Sequence, residues 1–209
     1  MISNEYGFIF VHVGRTGGSS FERIAGISIT SDHRTMHLGN TDFSEKHKSF
    51  QYYKTNYPDK FLSYFKFTIV RNPFDRLVSS WIWLTQIVKI LPSMSLKEFI
   101  ESRPTSQTFY DKFKLDGLSI HDSISNFDYI GRFENIQETY NYLCKRFNIL
   151  NKLVPHTNKT GYGEYQNYYD NCTIDLVNKK YRLDLDLFGY KFSVNKNEWM
   201  WDSFTDIAP

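Results

Sequence analysis

Two short segments combine arginine, glycine and hydroxyl side chains in an order that suits the binding of an anion. The first, FIFVHVGRTGGSSF at residues 8–21, begins as an apolar run typical of a buried parallel strand and continues into glycines and serines. Glycines let a backbone come close to a ligand, and the N–H groups and dipole of a following helix attract negative charge. We predict an anion site formed by Arg15, Thr16, Gly17, Gly18, Ser19 and Ser20, with the two serines able to cap the helix.

The second segment, FTIVRNPFDRLVSSW at residues 67–81, repeats the pattern with an arginine at the end of a strand. Its Asn-Pro pair ends the strand and favours the start of a helix. Arg71 and Ser79 are eight residues apart, so a turn and two helical turns can direct both side chains at one anion. Arg76 directly follows Asp75, and we interpret it as solvated or paired with that carboxylate rather than as a ligand. Two such segments predict a ligand with two separate phosphate groups.

Neither segment matches two common phosphate motifs. A Walker A loop requires G-x-x-x-x-G-K-S/T, and no lysine precedes Ser19 or Ser20. The glycine spacing also differs from the G-x-G-x-x-G of dinucleotide-binding turns. A plain strand–turn–helix corner, in which glycine serves geometry alone, is therefore the alternative for the first segment.

On these residues the chain resembles the sulfotransferases that use 3′-phosphoadenosine 5′-phosphosulfate (PAPS), in the group that contains the carbohydrate sulfotransferases. VHVGRTGGSSF is similar to their 5′-phosphosulfate loop, written close to H-I-P-K-T-G-G-T-S, and FTIVRNPFDRLVSSW to their 3′-phosphate motif, V-R-N-P-x-x-R-x-x-S. Three later segments follow in the family's order: YIGRFENIQETYNYLCKRFNI, PHTNKTGYGEYQNYYD and KKYRLDLDLFGY. The resemblance spans residues 8–190 and implies one sulfotransferase domain over residues 1–209.

The implied fold is α/β, with a central parallel sheet of four or five strands flanked by helices in a P-loop-like arrangement. We predict strands and helices along the chain as follows: strands at 6–13, 27–31, 66–70 and 129–130; helices at 18–26, 73–90, 95–102, 135–148 and 174–183; a helix or loop at 46–58; irregular chain at 103–125; and a loop at 154–168. In the helix at 95–102, Ser95 is the predicted cap and Glu98 its capping-box partner.

The resemblance implies transfer of the sulfuryl group of PAPS to an acceptor hydroxyl on a carbohydrate, with release of adenosine 3′,5′-bisphosphate (PAP). The residues indicate no need for a metal. A small natural product with a hydroxyl or amine acceptor is the rival substrate. Two other classes stay open: a P-loop-type nucleotide kinase, against which the missing Walker lysine argues, and a catalytically silent nucleotide- or glycan-binding module.

One departure from the family concerns the leaving group. The family usually has a lysine at the position of Arg15, and that lysine contacts the oxygen that bridges the phosphate and sulfuryl groups. Arg15 keeps the positive charge on a wider, flatter head, and we expect it to support the leaving group as a catalytic residue. A weakened activity, or a relative that binds without turnover, is the alternative.

A hydroxyl acceptor needs a base, and histidine titrates near neutral pH. His33 and His37 follow the predicted strand at 27–31, and relatives often place a catalytic His or Glu there. We predict His33 as the base and His37 as the next candidate, against the alternative that both are ordinary surface histidines. His12 is expected to point into the core or the loop, and His47 to be solvated.

The resemblance implies a third nucleotide element in the loop Asn158-Lys159-Thr160-Gly161. In the family this loop closes over the nucleotide. Lys159 is the predicted contact to the 3′-phosphate, with Gly161 and Tyr162 near the adenine. The alternative is a mobile surface loop with a solvated lysine.

Composition agrees with a globular enzyme. The 209 residues are 41% hydrophobic and 23% charged, and a net charge of +2 is too small to indicate nucleic-acid binding. Cys144 and Cys172 suggest neither a disulfide framework nor a metal site. No signal peptide precedes the first strand, and the apolar stretch at 80–91 is too short to span a bilayer. We therefore expect a cytoplasmic protein without a membrane span.

Overall fold

In a computed structural model of the protein, residues 1–25, 47–103, 108–150 and 161–193 are described. These residues belong to two compact units. The first contains residues 1–25, 47–70 and 112–150, and the second contains residues 71–103, 108–111 and 161–193. The predicted strand at 27–31 lies outside the described residues, and the single domain over residues 1–209 stays a prediction.

A mostly parallel sheet forms the centre of the first unit. Its strands lie in the order β1 (Ile2–Ser3), β2 (Phe8–Val11), β3 (Phe65–Val70) and β4 (Tyr129–Arg132). The short β1 runs antiparallel to β2, whereas β2, β3 and β4 run parallel to one another. The predicted α/β fold with a parallel central sheet is therefore confirmed.

Helices fill the connections between and after these strands. In the described ranges they are α1 (Gly18–Ile24), α2 (Phe50–Asn56), α3 (Pro58–Ser63), α4 (Pro73–Ile82), α5 (Leu96–Ser102), α6 (Phe109–Phe113), α7 (Ile120–Ile124), α8 (Ile136–Arg146), α9 (Asn171–Lys180) and α10 (Arg182–Phe188). A π-helical turn, Trp83–Ile87, continues α4, and 3₁₀ turns lie at Phe133–Asn135 and Tyr165–Tyr168.

The core of the first unit lies between the sheet and two helices. Successive strand residues point to opposite faces, so Phe8 and Phe10 of β2 lie on the same face as Phe67 of β3. Their fully buried rings pack against Phe21 of α1 and Leu143 of α8. The residues that point to the other face of β2 are fully buried as well, so the sheet is covered on both faces, as parallel sheets usually are.

Local capping explains where several helices begin. The Ser95 side chain accepts the N–H of Glu98, and the Glu98 carboxylate accepts the N–H of Ser95. This reciprocal pair confirms the predicted capping box. Asn72 caps α4 by accepting the N–H of Phe74 at 3.0 Å, and Pro73 occupies the first helical position.

Three predicted elements are wrong in type or extent. The chain at 103–125 is not irregular throughout: α6 and α7 form there, and α7 begins where Ser119 accepts the N–H of Asp122. The helix predicted to end at residue 90 leaves α-helical geometry after Ile82. The helix predicted at 174–183 is two helices, because a capping box at Asp170 starts α9 earlier and α10 follows it.

Gly131 of β4 packs closely against Thr139 of α8. A Cβ atom at this position would lie 2.4 Å from Cγ2 of Thr139. We expect Gly131→Ala to lower the free energy of unfolding by about 1–3 kcal/mol, because backbone and helix must move apart. Urea denaturation measures this loss. A second substitution, Thr139→Ala, should recover part of it, and an unchanged midpoint for Gly131→Ala would contradict the close packing.

Candidate functional site

The turn after β2 has an unusual backbone. Arg15 has a φ of 67°, in the left-handed region that side chains other than glycine seldom adopt. Gly17 has a φ of 86° and is the cap residue of α1. Such conformations persist where surrounding contacts enforce them, and they are concentrated at ligand sites. The half-buried Arg15 therefore occupies a constrained position at the start of the predicted anion loop.

Hydrogen bonds inside the turn hold it in this shape. Thr16 is fully buried, and its hydroxyl donates to the carbonyl of Val13 at 2.8 Å. The N–H of Ser20 donates to the carbonyl of Gly17 at 2.9 Å. The predicted capping by Ser19 and Ser20 is wrong, because both serines lie inside the first helical turn, and the cap position needs a positive φ that glycine adopts easily.

Two of the three glycines of the turn, Gly17 and Gly18, are packed against side chains. A Cβ atom at Gly17 would lie 2.8 Å from the hydroxyl oxygen of Tyr140, and one at Gly18 would lie 2.5 Å from the His12 ring. The Tyr140 hydroxyl donates to the carbonyl of Gly17 at 2.6 Å. Burial raises the pKa of Tyr140, so this phenol stays a donor. Sequence reasoning missed Tyr140, which lies 123 residues from Gly17.

In the second unit, Arg71 lies directly after the last residue of β3 in the chain and is almost fully buried. Its Nε donates to Oδ2 of Asp75 at 2.8 Å, and Nη2 lies 2.8 Å from the same oxygen. Nη2 also donates to the hydroxyl oxygen of Tyr162 at 2.6 Å, and that hydroxyl donates to Oδ1 of Asp75. The guanidinium is thus held in one orientation by a carboxylate and a phenol.

Ser79 completes this cluster. It is 1% exposed, and its side chain hydrogen-bonds to Tyr162. Burial raises the pKa of Tyr162, which keeps the phenol protonated. Two glycines with positive φ, Gly161 and Gly163, flank Tyr162 and shape its short loop. The structure therefore brings together three predicted nucleotide residues, Arg71, Ser79 and Tyr162, while contact of Tyr162 and Gly161 with adenine stays a prediction.

Arg76 does not behave as predicted. It is 6% exposed rather than solvated, and Asp75 pairs with Arg71 instead. Its guanidinium lies 4.7 Å from the centre of the Phe109 ring. Burial lowers the pKa of Arg76, and the nearby Tyr181 and Asp184 act in the opposite direction. This arginine is a structural residue of the second unit.

Two of the histidines singled out in the sequence, His12 and His47, lie among the described residues. His12 is 2% exposed, which confirms its predicted place in the core or loop. His47 is exposed, but its Nδ1 lies 3.1 Å from the carbonyl oxygen of His12. His33, His37 and Lys159 lie outside the described residues, so their roles stay predictions.

The described part of the chain shows neither a metal-binding cluster nor a membrane-spanning helix. In the four described ranges, His, Cys, Asp and Glu side chains form no group of three or more suited to a metal ion. Among the helices in the same ranges, none combines the length and the apolar character needed to cross a membrane.

The buried Asp184 has a structural role in the second unit that can be tested. Its buried carboxylate accepts the N–H groups of Phe109 and Tyr110, each at 2.8 Å. In Asp184→Asn an amide NH₂ would face one of these donors, so we expect a loss of about 3 kcal/mol in unfolding free energy. Chemical denaturation should show a change within about 0.5 kcal/mol for the exposed control Asp186→Asn. Equal effects of the two substitutions would contradict the assignment.

Comparison with known proteins identifies the family of the chain. The chain matches the Sulfotransferase family over residues 1–191. Among solved structures it is similar to a mouse sulfotransferase crystallised as a complex with PAP, at 13% identity and a TM-score of 0.55, with 90% of each chain covered. This likeness supports the fold alone. No curated protein matches the chain. Because the family match spans residues 1–191, the protein belongs to the sulfotransferase family and transfers sulfuryl groups.

Proposed function

We propose that the protein transfers the sulfuryl group of PAPS to a hydroxyl group of a carbohydrate and releases PAP. The observation that carries this proposal is the buried Arg71, whose guanidinium is oriented by Asp75 and Tyr162 beside the hydroxyl of Ser79. An arginine and a serine in this arrangement suit a terminal phosphate, such as the 3′-phosphate that distinguishes PAPS from AMP. The similar mouse sulfotransferase was crystallised with PAP, which supports the same ligand here.

The turn after β2 suits the other end of the donor. Its left-handed Arg15, the glycine cap and the start of α1 present backbone N–H groups and a cation to an anion. In this proposal they bind the 5′-phosphosulfate, and Arg15 stabilises the charge that develops on the leaving phosphate. In the loop at residues 158–161, Lys159 contacts the 3′-phosphate and Gly161 lies near the adenine in this proposal.

The reaction is an in-line displacement at sulfur. The acceptor oxygen forms a bond to sulfur as the bond from sulfur to the bridging phosphate oxygen breaks, and PAP leaves with that oxygen. A base takes the proton of the acceptor hydroxyl, and we assign this role to His33, with His37 as the next candidate. Positioning and fixed charge supply the remaining catalysis, and no step in this scheme draws on a metal ion.

A carbohydrate acceptor is supported by the likeness of the two nucleotide motifs to the carbohydrate sulfotransferases. A small natural product with a hydroxyl or amine group is the competing acceptor within the same reaction. Incubation with ³⁵S-labelled PAPS and a panel of oligosaccharides and small alcohols or amines distinguishes them. Label on an oligosaccharide would support the proposal, whereas label on small molecules alone would overturn the assignment of a carbohydrate acceptor.

We also propose that the enzyme is cytoplasmic.

Arg71 gives the sharpest test of the donor. Arg71→Ala should weaken PAP binding roughly a hundredfold, because a forked, charge-assisted contact to the 3′-phosphate is lost. Binding of 5′-AMP, which has no 3′-phosphate, should change by less than about threefold. Calorimetric titration measures both affinities, and the exposed Arg182→Ala provides a control that removes an arginine from the same unit. Equal losses for PAP and 5′-AMP would contradict the assignment.

His33 is tested through turnover. His33→Ala should lower kcat by about 10²–10⁴, the usual contribution of a general base, while the dissociation constant of PAP stays nearly constant. The exposed His121→Ala should keep both values. Full activity in His33→Ala together with inactive His37→Ala would move the base to His37.

A further inference from the structure

Behind the anion turn lies a buried pair of side chains that the proposed chemistry does not use. Nδ1 of His12 and Oε1 of Glu22 are 2.9 Å apart. His12 is 2% exposed and Glu22 is fully buried. His12 directly precedes the turn and Glu22 lies in α1, so this contact joins the two ends of the predicted phosphosulfate loop.

The His12 ring is held on further sides. It stacks on the ring of Phe10, with centroids 5.0 Å apart and planes inclined by 10°. Its Cδ2 and Nε2 atoms face the Cα of Gly18, where a Cβ would approach both to 2.5 Å. The ring of His47 lies 4.8 Å away. The imidazole therefore packs directly against Gly18, the first residue of α1.

The charge of Glu22 makes this contact important. A buried carboxylate is costly unless it is paired, and removing one partner of a buried pair leaves the other uncompensated. An uncompensated carboxylate under the turn would also repel an anion bound above it. The contact joins the residue before the turn to α1 and places a polar ring atom beside the buried carboxyl group.

We propose that His12 and Glu22 are positioning residues that hold the turn at residues 13–18 in the shape that binds the 5′-phosphate end of the nucleotide. They act through the loop and do not touch the ligand. Since the ligand is PAP or PAPS, this inference rests on the proposed function.

The test separates the two ends of the nucleotide. PAP carries both phosphates and adenosine 3′-monophosphate lacks the 5′-phosphate, so the ratio of their affinities reports the 5′ contact. Glu22→Gln keeps the shape of the side chain and removes its acidic group, and His12→Phe keeps a ring and removes Nδ1. Each should lower the affinity ratio about tenfold, the value of one charge-assisted contact, and leave the affinity for adenosine 3′-monophosphate within about twofold.

Two further variants sharpen the result. His12→Asn places an amide donor near the position of Nδ1, and it should recover part of the ratio that His12→Phe loses. The double variant His12→Phe/Glu22→Gln should have an affinity ratio no lower than that of His12→Phe, because no acidic group is then left buried beside an apolar ring. Glu22→Gln keeps the volume of the core nearly constant, whereas Asn is smaller than His, so only partial recovery is expected of His12→Asn.

A variant elsewhere in the same core controls for general destabilisation. Leu143→Val in α8 should lower the melting temperature and leave the affinity ratio unchanged. A similar drop in the ratio for Leu143→Val would overturn the positioning role. If the unmodified protein binds PAP, an unchanged affinity ratio in Glu22→Gln and His12→Phe would also overturn the positioning role. The proposed function would then stay intact. A parent chain without affinity for PAP would instead overturn the proposed function.

Discussion

The parallel pairing of β2 with β3 is the constraint on which the candidate site depends. Parallel strands end at the same edge of a sheet, and ligands of α/β proteins bind at the edge where strands end. At this edge β2 leads into the turn at residues 13–18, and β3 ends at Val70, the residue before Arg71 in the chain. Buried side chains hold these two strand ends in register within the first unit.

Side chains of the protein itself hold both anion-binding segments in shape, the turn after β2 and the segment that begins at Arg71. Tyr140 holds the carbonyl of Gly17, and Thr16 holds the carbonyl of Val13. In the second unit, Asp75 and Tyr162 orient the guanidinium of Arg71. Because the donors are already fixed, less conformational entropy is lost when a ligand binds. Fixed donors also stabilise charge during the reaction without having to reorganise. The buried polar contacts of this protein therefore serve orientation as much as stability.

Much of the frame can be predicted from local sequence. The apolar runs of β2 and β3, the capping box at Ser95 and the spacing of Arg71 and Ser79 are all properties of a few neighbouring residues. Such properties depend on hydrophobic periodicity and on the chemistry of caps and turns, which act over short distances along the chain.

The partners of the site residues could not be predicted in this way. Tyr162 and Arg71 are 91 residues apart, and no local pattern indicates that they meet. Asp75 has an arginine on the next residue and another four residues before it, and only the folded helix shows that it pairs with Arg71. The burial of Arg76 could not be predicted for a related reason, since Phe109, which lies against its guanidinium, is distant in the sequence.

We propose that this sulfotransferase recognises a nucleotide with separate 3′- and 5′-phosphates. Calorimetric titration of the purified protein with PAP, beside a titration with ATP and magnesium, tests it most directly. The account predicts a micromolar or lower dissociation constant for PAP and little binding of ATP. Preference for ATP with magnesium would contradict it and would favour a nucleotide kinase.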